Sequence, residues 1–372
     1  MTRIGFAYNQ KPETAADTAA TISRTAPEPS DSGSAVATLT APAPVADDEF
    51  AEWDSATTID AVANALAHHG DVVRLEATDD FPERLRAERP DIVFNIAEGL
   101  RGPNREAHIP AICEFFGVPY SGSDPFTLSL CLDKARTKQV LRAHNVATAE
   151  WWLVEDDADV ALLSQRNLRT PLFAKPVHEG SSKGITERNY IATADQFEPV
   201  VSDLLHRYAQ PVIVETYLAG AEFTCGVLGN GSTARVLPIV GMNFGSLPPG
   251  ALPIYGFEAK WIWDRPDEPL DIFQCPAPVS TKLKKSIEKV VLDAYRVLGC
   301  RDWSRIDVRL DAEGRPHIIE VNPLPGILPD PSDNSCLPKA ARAAGLDYGA
   351  LIGAALIAAA ERQGVSLSGG RA

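Results

Sequence analysis

The sequence predicts an α/β protein, and three observations carry that reading. Short apolar runs alternate with amphipathic helical segments through the first 120 residues or so, the pattern of a small parallel sheet flanked by helices. Near the other end, Arg305–Leu310 and His317–Asn322 both alternate at the strand period of two, with Asp311–Pro316 supplying turn chemistry between them. Over 372 residues, 45% hydrophobic and 23% charged, the chain suits two or three packed modules.

Taken in order, Arg3–Tyr8 reads as a first strand. From Lys11 to Glu49, Ala, Thr, Pro and Ser dominate, with Ile22, Val36, Leu39 and Val45 the only larger apolar residues. Such a stretch buries too little to offset its ordering entropy, which predicts a disordered insertion over 11–50. A helix follows over Trp53–His69, with Ile59, Val62 and Leu66 on one face, then strands at Val72–Leu75 and Asp91–Ile96. Glu98–Asn104 is a loop at the carboxyl end of a strand, where parallel α/β folds place ligands. A helix runs to Phe116 and leads into Val118–Asp124.

The second block opens on a helix around Asp133–Lys138. It continues through a strand Leu172–Pro176, a loop His178–Gly184, a helix near Gln196–Arg207 and a strand Val212–Glu215. The third begins at Tyr217 and holds several strands, a Pro/Gly-rich excursion from Ser246 to Pro278, a helix Thr281–Leu298, the hairpin and a terminal helix. The divisions expected are 1–123, 124–215 and 216–372.

A net charge of −15 without a basic run argues against a general nucleic-acid or anionic-membrane surface, while leaving room for a local phosphate pocket. The opening residues break too early for a secretory signal, and the apolar run Ala350–Ala360 is too short to span a bilayer. It reads as a helix packed by alanines. Six scattered cysteines (Cys113, Cys131, Cys225, Cys275, Cys300, Cys336) suit reduced, mostly buried thiols in a cytoplasmic protein.

Chemistry concentrates on the hairpin. If Leu310 pairs with His317, Asp307 lies opposite Glu320 and Arg305 opposite Asn322. Two carboxylates and an amide oxygen on one face suit magnesium, although a solvated hairpin face would show the same alternation. Lys175 ends an apolar strand ahead of a loop with Gly180, Ser181, Ser182 and Gly184, which offers a fixed cation and backbone donors to phosphate oxygens. A Gly/Ser-rich loop is also an ordinary turn. Lys134, beside Arg136 and Lys138, reads equally as a solvated helix face. Glu215 and Glu222, flanking Tyr217 and Leu218, read equally as surface carboxylates.

Together and in order, five segments resemble the D-alanine–D-alanine ligases of the ATP-grasp superfamily. They are Val118–Ser123; Leu132–Lys134; Ala174–Pro176 with Glu179–Ser182; Glu215 with Glu222–Thr224; and Arg305–Asp307 with Glu320–Asn322 and Pro325–Gly326. The resemblance spans Ala56 to about Leu356, and Tyr255–Lys260 is similar to that family's mobile lid. It implies a three-domain ATP-grasp fold, with a parallel α/β domain followed by central and C-terminal α+β domains that hold the nucleotide between them. It implies an ATP-dependent, ADP-forming ligase that joins a carboxylate to an amine, amino acids by family, through an acyl phosphate. Lys134, Lys175 and the loop Glu179, Gly180, Ser181 and Ser182 would hold phosphates. Glu215, Tyr217 and Leu218 would lie at the base, Glu222 at the ribose, and Lys260 at the transferred phosphoryl group. Asp307, Glu320 and Asn322 would bind two magnesium ions, or manganese. Arg305 and the Gly326 N–H would meet the oxyanion, with Ser181 beside them. Ser335 and Cys336 match the position for the second amino acid's carboxylate. A homodimer through the N-terminal block is a family expectation.

Three departures fall on the subsite for the first substrate. The family's loop glutamate after the first strand has no clear counterpart, its histidine after the third strand is Glu98, and its residue after the lid lysine is Trp261. These predict an acyl donor other than D-alanine, with Glu98 recognising a cationic amine. The alternatives are that Glu13 or another insertion carboxylate folds in and restores D-alanine–D-alanine synthesis, or that the chain is an ATP-grasp kinase. No general base is assigned.

Overall fold

The computed structural model describes residues 1–12, 50, 52–99, 101–166, 168–256, 258–264 and 270–368. The expected insertion over 11–50, Glu13 included, lies outside the described residues except at its ends.

The first block runs β1 (Arg3–Tyr8), α1 (Ala56–Ala67), β2 (Asp71–Glu76), α2 (Phe81–Glu88), β3 (Ile92–Asn95) and α3 (His108–Phe116). β1 lies between β2 and β3 and is parallel to both, as the alternation predicts. Ser55 caps α1 by accepting the Thr58 N–H at 3.2 Å, so the helix starts at Ala56 rather than Trp53. The residues just before the cap bridge back beside β1 instead, Asp54 pairing with Gln10.

The second block holds α4 (Pro125–Leu132), α5 (Lys134–Ala143), β4 (Trp151–Val154), α6 (Asp157–Ser164), β5 (Leu172–Pro176), β6 (Tyr190–Ile191), α7 (Phe197–Tyr208) and β7 (Val212–Thr216). Its sheet is antiparallel in the order β4-β7-β5-β6, with α6 and α7 burying Val160, Leu163, Val201 and Leu204 against it.

The third block contains β8 (Glu222–Leu228), β9 (Arg235–Val236), β10 (Val240–Met242), β11 (Phe273–Gln274), α8 (Thr281–Val297), β12 (Trp303–Leu310), β13 (Pro316–Asn322), α9 (Cys336–Ala343) and α10 (Tyr348–Gln363). Its sheet runs β11-β10-β8-β12-β13, with β9 paired to β8. One face is apolar: Ile306, Val308, Cys225 and Val321 pack with Ile287, Val291 and Ala294 of α8 and with Cys131 and Leu141 from α4 and α5. At about 1.5–3 kcal/mol for each fully buried aliphatic side chain, this layer fixes which face of the hairpin turns outward. A further core joins β1, β3 and α1 to α9 and α10, with Phe94 and Trp303 edge-to-face at 5.4 Å. α10 buries Ala355, Ala359 and Ala360, as a helix packed by alanines should. Among the described residues, no single helix is long and apolar enough to cross a membrane. All six cysteines are free, and Cys113, Cys131, Cys225 and Cys300 are buried.

The hairpin register needs one correction. Arg305 does face Asn322, and Asp307 faces Glu320, but Leu310 pairs with Pro316 and Arg309 with His317. A bulge past Asp307 absorbs one extra residue of β13, so the pairing inferred from the turn end is off by one while the pairing at the open end holds.

Candidate active site

The polar face of the third sheet forms the floor of a cleft of about 430 Å³ that also touches both other blocks. Directly opposed residues on antiparallel strands share a face. Across β8, β12 and β13 these are Glu222 with Arg309, Thr224 with Asp307 and Glu320, and Gly226 with Arg305 and Asn322. Asp307 accepts the Thr224 hydroxyl at 2.8 Å and pairs with Arg305 at 3.2 Å. Glu320 pairs with Lys134 at 3.0 Å and sits 4.0 Å from Arg305. Burial, reinforced by Glu320, raises the Asp307 carboxyl from its ordinary value against the pull of Arg305. Burial would raise Glu320 too, but Lys134, Lys175 and Arg305 outweigh it and hold that carboxyl at about 2. Asn322 Nδ2 is buried without a hydrogen-bond partner among the described residues.

The lysines facing this floor are not on a solvated helix face. Lys134 and Lys138 are 4% and 1% exposed, on the inward face of α5, which Asp133 caps by accepting the Arg136 N–H at 2.8 Å. Lys134 also donates to the Glu179 carbonyl. Glu215 lies 3.1 Å from both Lys138 and Lys175, and Lys138 donates to Thr148 at 2.7 Å. Glu215 is thus buried beneath the strand-end lysine rather than on the surface. Burial would raise it, yet the two ammonium groups bring it below the ordinary range. Burial and Lys175 lower Lys138 to about 8 against the pull of Glu215.

The loop after β5 lies over this cluster. Ser181, Ser182 and Gly184 have φ of 50°, 62° and 69°, and a Cβ on Gly184 would sit 2.7 Å from Pro176 and 2.9 Å from Tyr208, so only glycine fits there. Ser182 donates to the Tyr255 carbonyl at 3.2 Å, joining the loop to the segment that carries Lys260. Lys260 lines the cleft, its amine lowered to about 8 by burial and Arg305. Trp261 follows within a π-type turn, Glu258–Trp263, and its side chain is outside the described residues.

Beside Tyr217 and Leu218, Glu222 forms a 2.8 Å pair with Arg309. Arg309 also donates to Tyr217 Oη and the Pro253 carbonyl, both at 2.8 Å, with its guanidinium 4.7 Å from the Tyr217 ring centre. Arg309 is a site residue that the sequence reading misses. The available signal was its parity: it is the next outward position after Arg305 and Asp307. Past the hairpin, Gly326, Ser335 and Cys336 also line the cleft; Ser335 accepts the Leu328 N–H at 3.2 Å, and burial pushes the Cys336 thiol up to about 12.

The remaining end of the cleft is built by the segment before α1 and the loop after β3. Glu52, which the sequence reading does not name, stands at this end. It takes Arg105 on both oxygens at 2.8 and 3.0 Å and Lys183 at 3.1 Å, and it abuts Gly180. Arg105 in turn donates to the His178 carbonyl at 2.9 Å, tying three loops together. Glu98 lines this end with Trp53, Asp54 and Glu106.

Every expected site residue whose side chain is described, Lys134 excepted, lines this cleft, and Lys134 reaches it through Glu320. Among the described residues, no group of three His, Cys, Asp or Glu side chains is placed to hold a metal ion, and the expected set has two carboxylates and an amide.

Comparison with known proteins bears on the family and the fold. The family described as D-ala D-ala ligase C-terminus matches residues 140–357. An uncharacterized protein of Sinorhizobium fredii is 32% identical over 83% of this chain and 89% of its own. A D-alanine–D-alanine ligase of Cupriavidus taiwanensis is 34% identical over 69% of this chain and 72% of its own. The crystal structure of a D-alanine–D-alanine ligase from Bacillus anthracis superposes with a TM-score of 0.67 at 22% identity, covering 98% of this chain and 99% of that one.

Proposed function

The chain belongs to the D-alanine–D-alanine ligase family, and from that premise we propose that it is an ATP-dependent, ADP-forming ligase that joins the carboxylate of one amino acid to the amine of another. The ATP-grasp fold shared with the Bacillus anthracis enzyme supports this reading. The observation that carries it is that two buried cation–carboxylate groups meet at one cleft: Lys134 with Glu320 on the sheet floor, and Lys175 with Glu215, which Lys138 also holds.

Each group has work that its chemistry suits. Lys134 and Lys175 hold phosphates, and the backbone from Glu179 through Gly180, Ser181 and Ser182 closes over them. Tyr217 and Leu218 receive the base and Glu222 the ribose hydroxyls. Glu215 serves both lysines from below rather than touching the base. Asp307, Glu320 and Asn322 fit magnesium in donor type: two opposed carboxylates, with an amide oxygen available two residues along the same strand face, are hard oxygen ligands. Magnesium there, as two ions, would neutralise phosphate charge that the lysines leave uncovered. Arg305, Lys260 and the Gly326 N–H face the reacting centre, where attack of the amine on an acyl phosphate puts negative charge on one oxygen. Ser181 stays near them, and Ser335 with Cys336 borders the acceptor's carboxylate. The divisions 1–123, 124–215 and 216–372 serve as the working domain limits.

ADP release by the full-length protein with ATP, magnesium and a panel of amino acids tests the reading. Asp307→Ala and Glu320→Ala should each abolish turnover while far-ultraviolet circular dichroism is unchanged. Full activity in either variant, or no amino-acid-dependent ADP release in the parent, overturns it.

A further inference from the structure

The donor end of the cleft holds more carboxyl groups than it has cations to match. Glu52 is already matched by Arg105 and Lys183, and it is 7% exposed at its side chain. Asp54, Glu98 and Glu106 line the same end, and none of their carboxyl groups makes a hydrogen bond or ion pair among the described residues. Glu106 is only 9% exposed, so an unpartnered carboxylate nine-tenths buried looks into the cleft. Ionising such a group is costly, since Arg105 and Lys134 nearby do not outweigh burial and Glu52. The strain registers in the titration of all three. Burial pushes Asp54 up to about 7, and burial with Glu52 pushes Glu106 to about 8. Burial and Glu106 raise Glu98 well above the carboxylate range.

Two further observations point to an organic cation. No three acidic groups converge tightly enough to hold a metal among the described residues, so the charge is spread along the pocket rather than focused on a point. Trp53 lines the same stretch, its indole N–H fixed on the Gly99 carbonyl at 3.0 Å, and a fixed indole is a good surface for an ammonium or guanidinium. The other cations nearby are engaged: Lys134 on Glu320, and Lys11 with contacts of its own.

Resting on the ligase reading above, we infer that the acyl-donor subsite takes a basic amino acid, one whose side chain carries a second cationic group. Four carboxyl groups (Glu52, Asp54, Glu98, Glu106) set against two cations (Arg105, and Lys183, which Glu179 shares) leave at least two without a cation of their own, and these ionise when a cation enters beside them. The α-ammonium of any amino acid matches one of them. A side-chain ammonium or guanidinium matches the other, between Glu106, Glu98 and the Trp53 ring.

The test is donor-dependent ADP release by the full-length protein with ATP and magnesium, using D- and L-alanine, -ornithine, -lysine and -arginine, with D-alanine as common acceptor. A basic donor should exceed alanine in kcat/KM by about tenfold or more, the scale of one additional charge-assisted contact. Glu106→Gln and, separately, Glu98→Gln should shrink that ratio, with folding checked by circular dichroism so that a misfolded variant leaves the other to decide. Alanine turning over as well as or better than every basic donor overturns the inference and leaves the ligase reading standing. Absence of ADP release with any amino acid overturns the ligase reading, and the donor inference with it.

Discussion

Replacing Glu215 by glutamine should cost far more stability than replacing either lysine it holds. The carboxylate sits 3.1 Å from Lys138 and from Lys175, and the three residues are 4%, 1% and 6% exposed. At an effective dielectric of about 20, each contact at that distance contributes about 5 kcal/mol before the desolvation of the ions is counted. In Glu215→Gln both ammonium groups lose that partner while remaining buried, the situation that costs about 3–5 kcal/mol. Neutralising a lysine at pH 7.5 costs about 4 kcal/mol, so deprotonation caps the loss near the same figure. Lys138→Met differs in kind. It removes an ion that burial has already pushed down to about 8, and Glu215 keeps Lys175. Its expected cost is about 0–2 kcal/mol, since an apolar side chain of similar length recovers most of the desolvation. Urea unfolding of the two single variants and the double variant measures all three terms. The double variant should be less destabilised than the two single costs added, because one stranded ammonium has gone. If Lys138→Met costs as much as Glu215→Gln, Glu215 is not the shared counter-ion of the pair.

Glu106 gives a pH prediction of definite sign. Its carboxyl is raised from 4.5 to about 8 in the folded chain, chiefly by burial and then by Glu52, so between those values the folded protein holds a proton that the unfolded chain has released. Stability of the unliganded protein contributed by this group therefore falls as pH rises from 4.5 towards 8, and the advantage of Glu106→Gln over the parent should grow across that window. Urea midpoints at pH 5 and pH 8 check this, and a difference that shrinks with pH refutes it. Arg309→Met should raise the KM for ATP by about tenfold or more with little change in the KM for the amino acids, because it strips Glu222 of its 2.8 Å counter-ion without touching the donor end. Equal rises in both KM values would refute that assignment.

The strand-borne half of the site was legible because parity and register fix which side chains face together. Arg305, Asp307, Glu320 and Asn322 share one face for the same reason that Ile306 and Val308 share the other. The bulge beyond Asp307 was not legible, since one extra residue in β13 leaves both alternating patterns intact over the open end. Lys134 and Lys138 looked like a charged helix face because their counter-ions, Glu320 and Glu215, come from strands far along the chain. Spacing on α5 records that the two lysines are neighbours and says nothing of the direction they face. The short strand β4, Trp151–Val154, was hidden for a related reason: four residues carry little periodicity, and its place is set by pairing with β7.

Glu52 shows why the donor end resisted the same treatment. Counting residues from β1 puts it far outside any loop that could reach the cleft, yet the backbone brings it there directly. The Lys11 N–H donates to the Asp54 carbonyl at 2.8 Å, and the Asp54 N–H to the Asn9 carbonyl at 3.2 Å, so residues 9–11 and 54 are neighbours beside the end of β1. Lengthening the chain between such neighbours adds closure entropy only as the logarithm of its length, about 0.6 kcal/mol for each doubling, so an insertion there need not displace Glu52. The residue's position is set by that bridge and by Arg105 and Lys183, which hold its side chain from two other loops. Shortening 13–49 to a few residues should therefore leave the donor end in place, whereas Arg105→Ala should release Glu52. If the shortened chain loses donor selectivity while ATP binding persists, residues within 13–49 contribute to the subsite, and the bridge is not what positions Glu52.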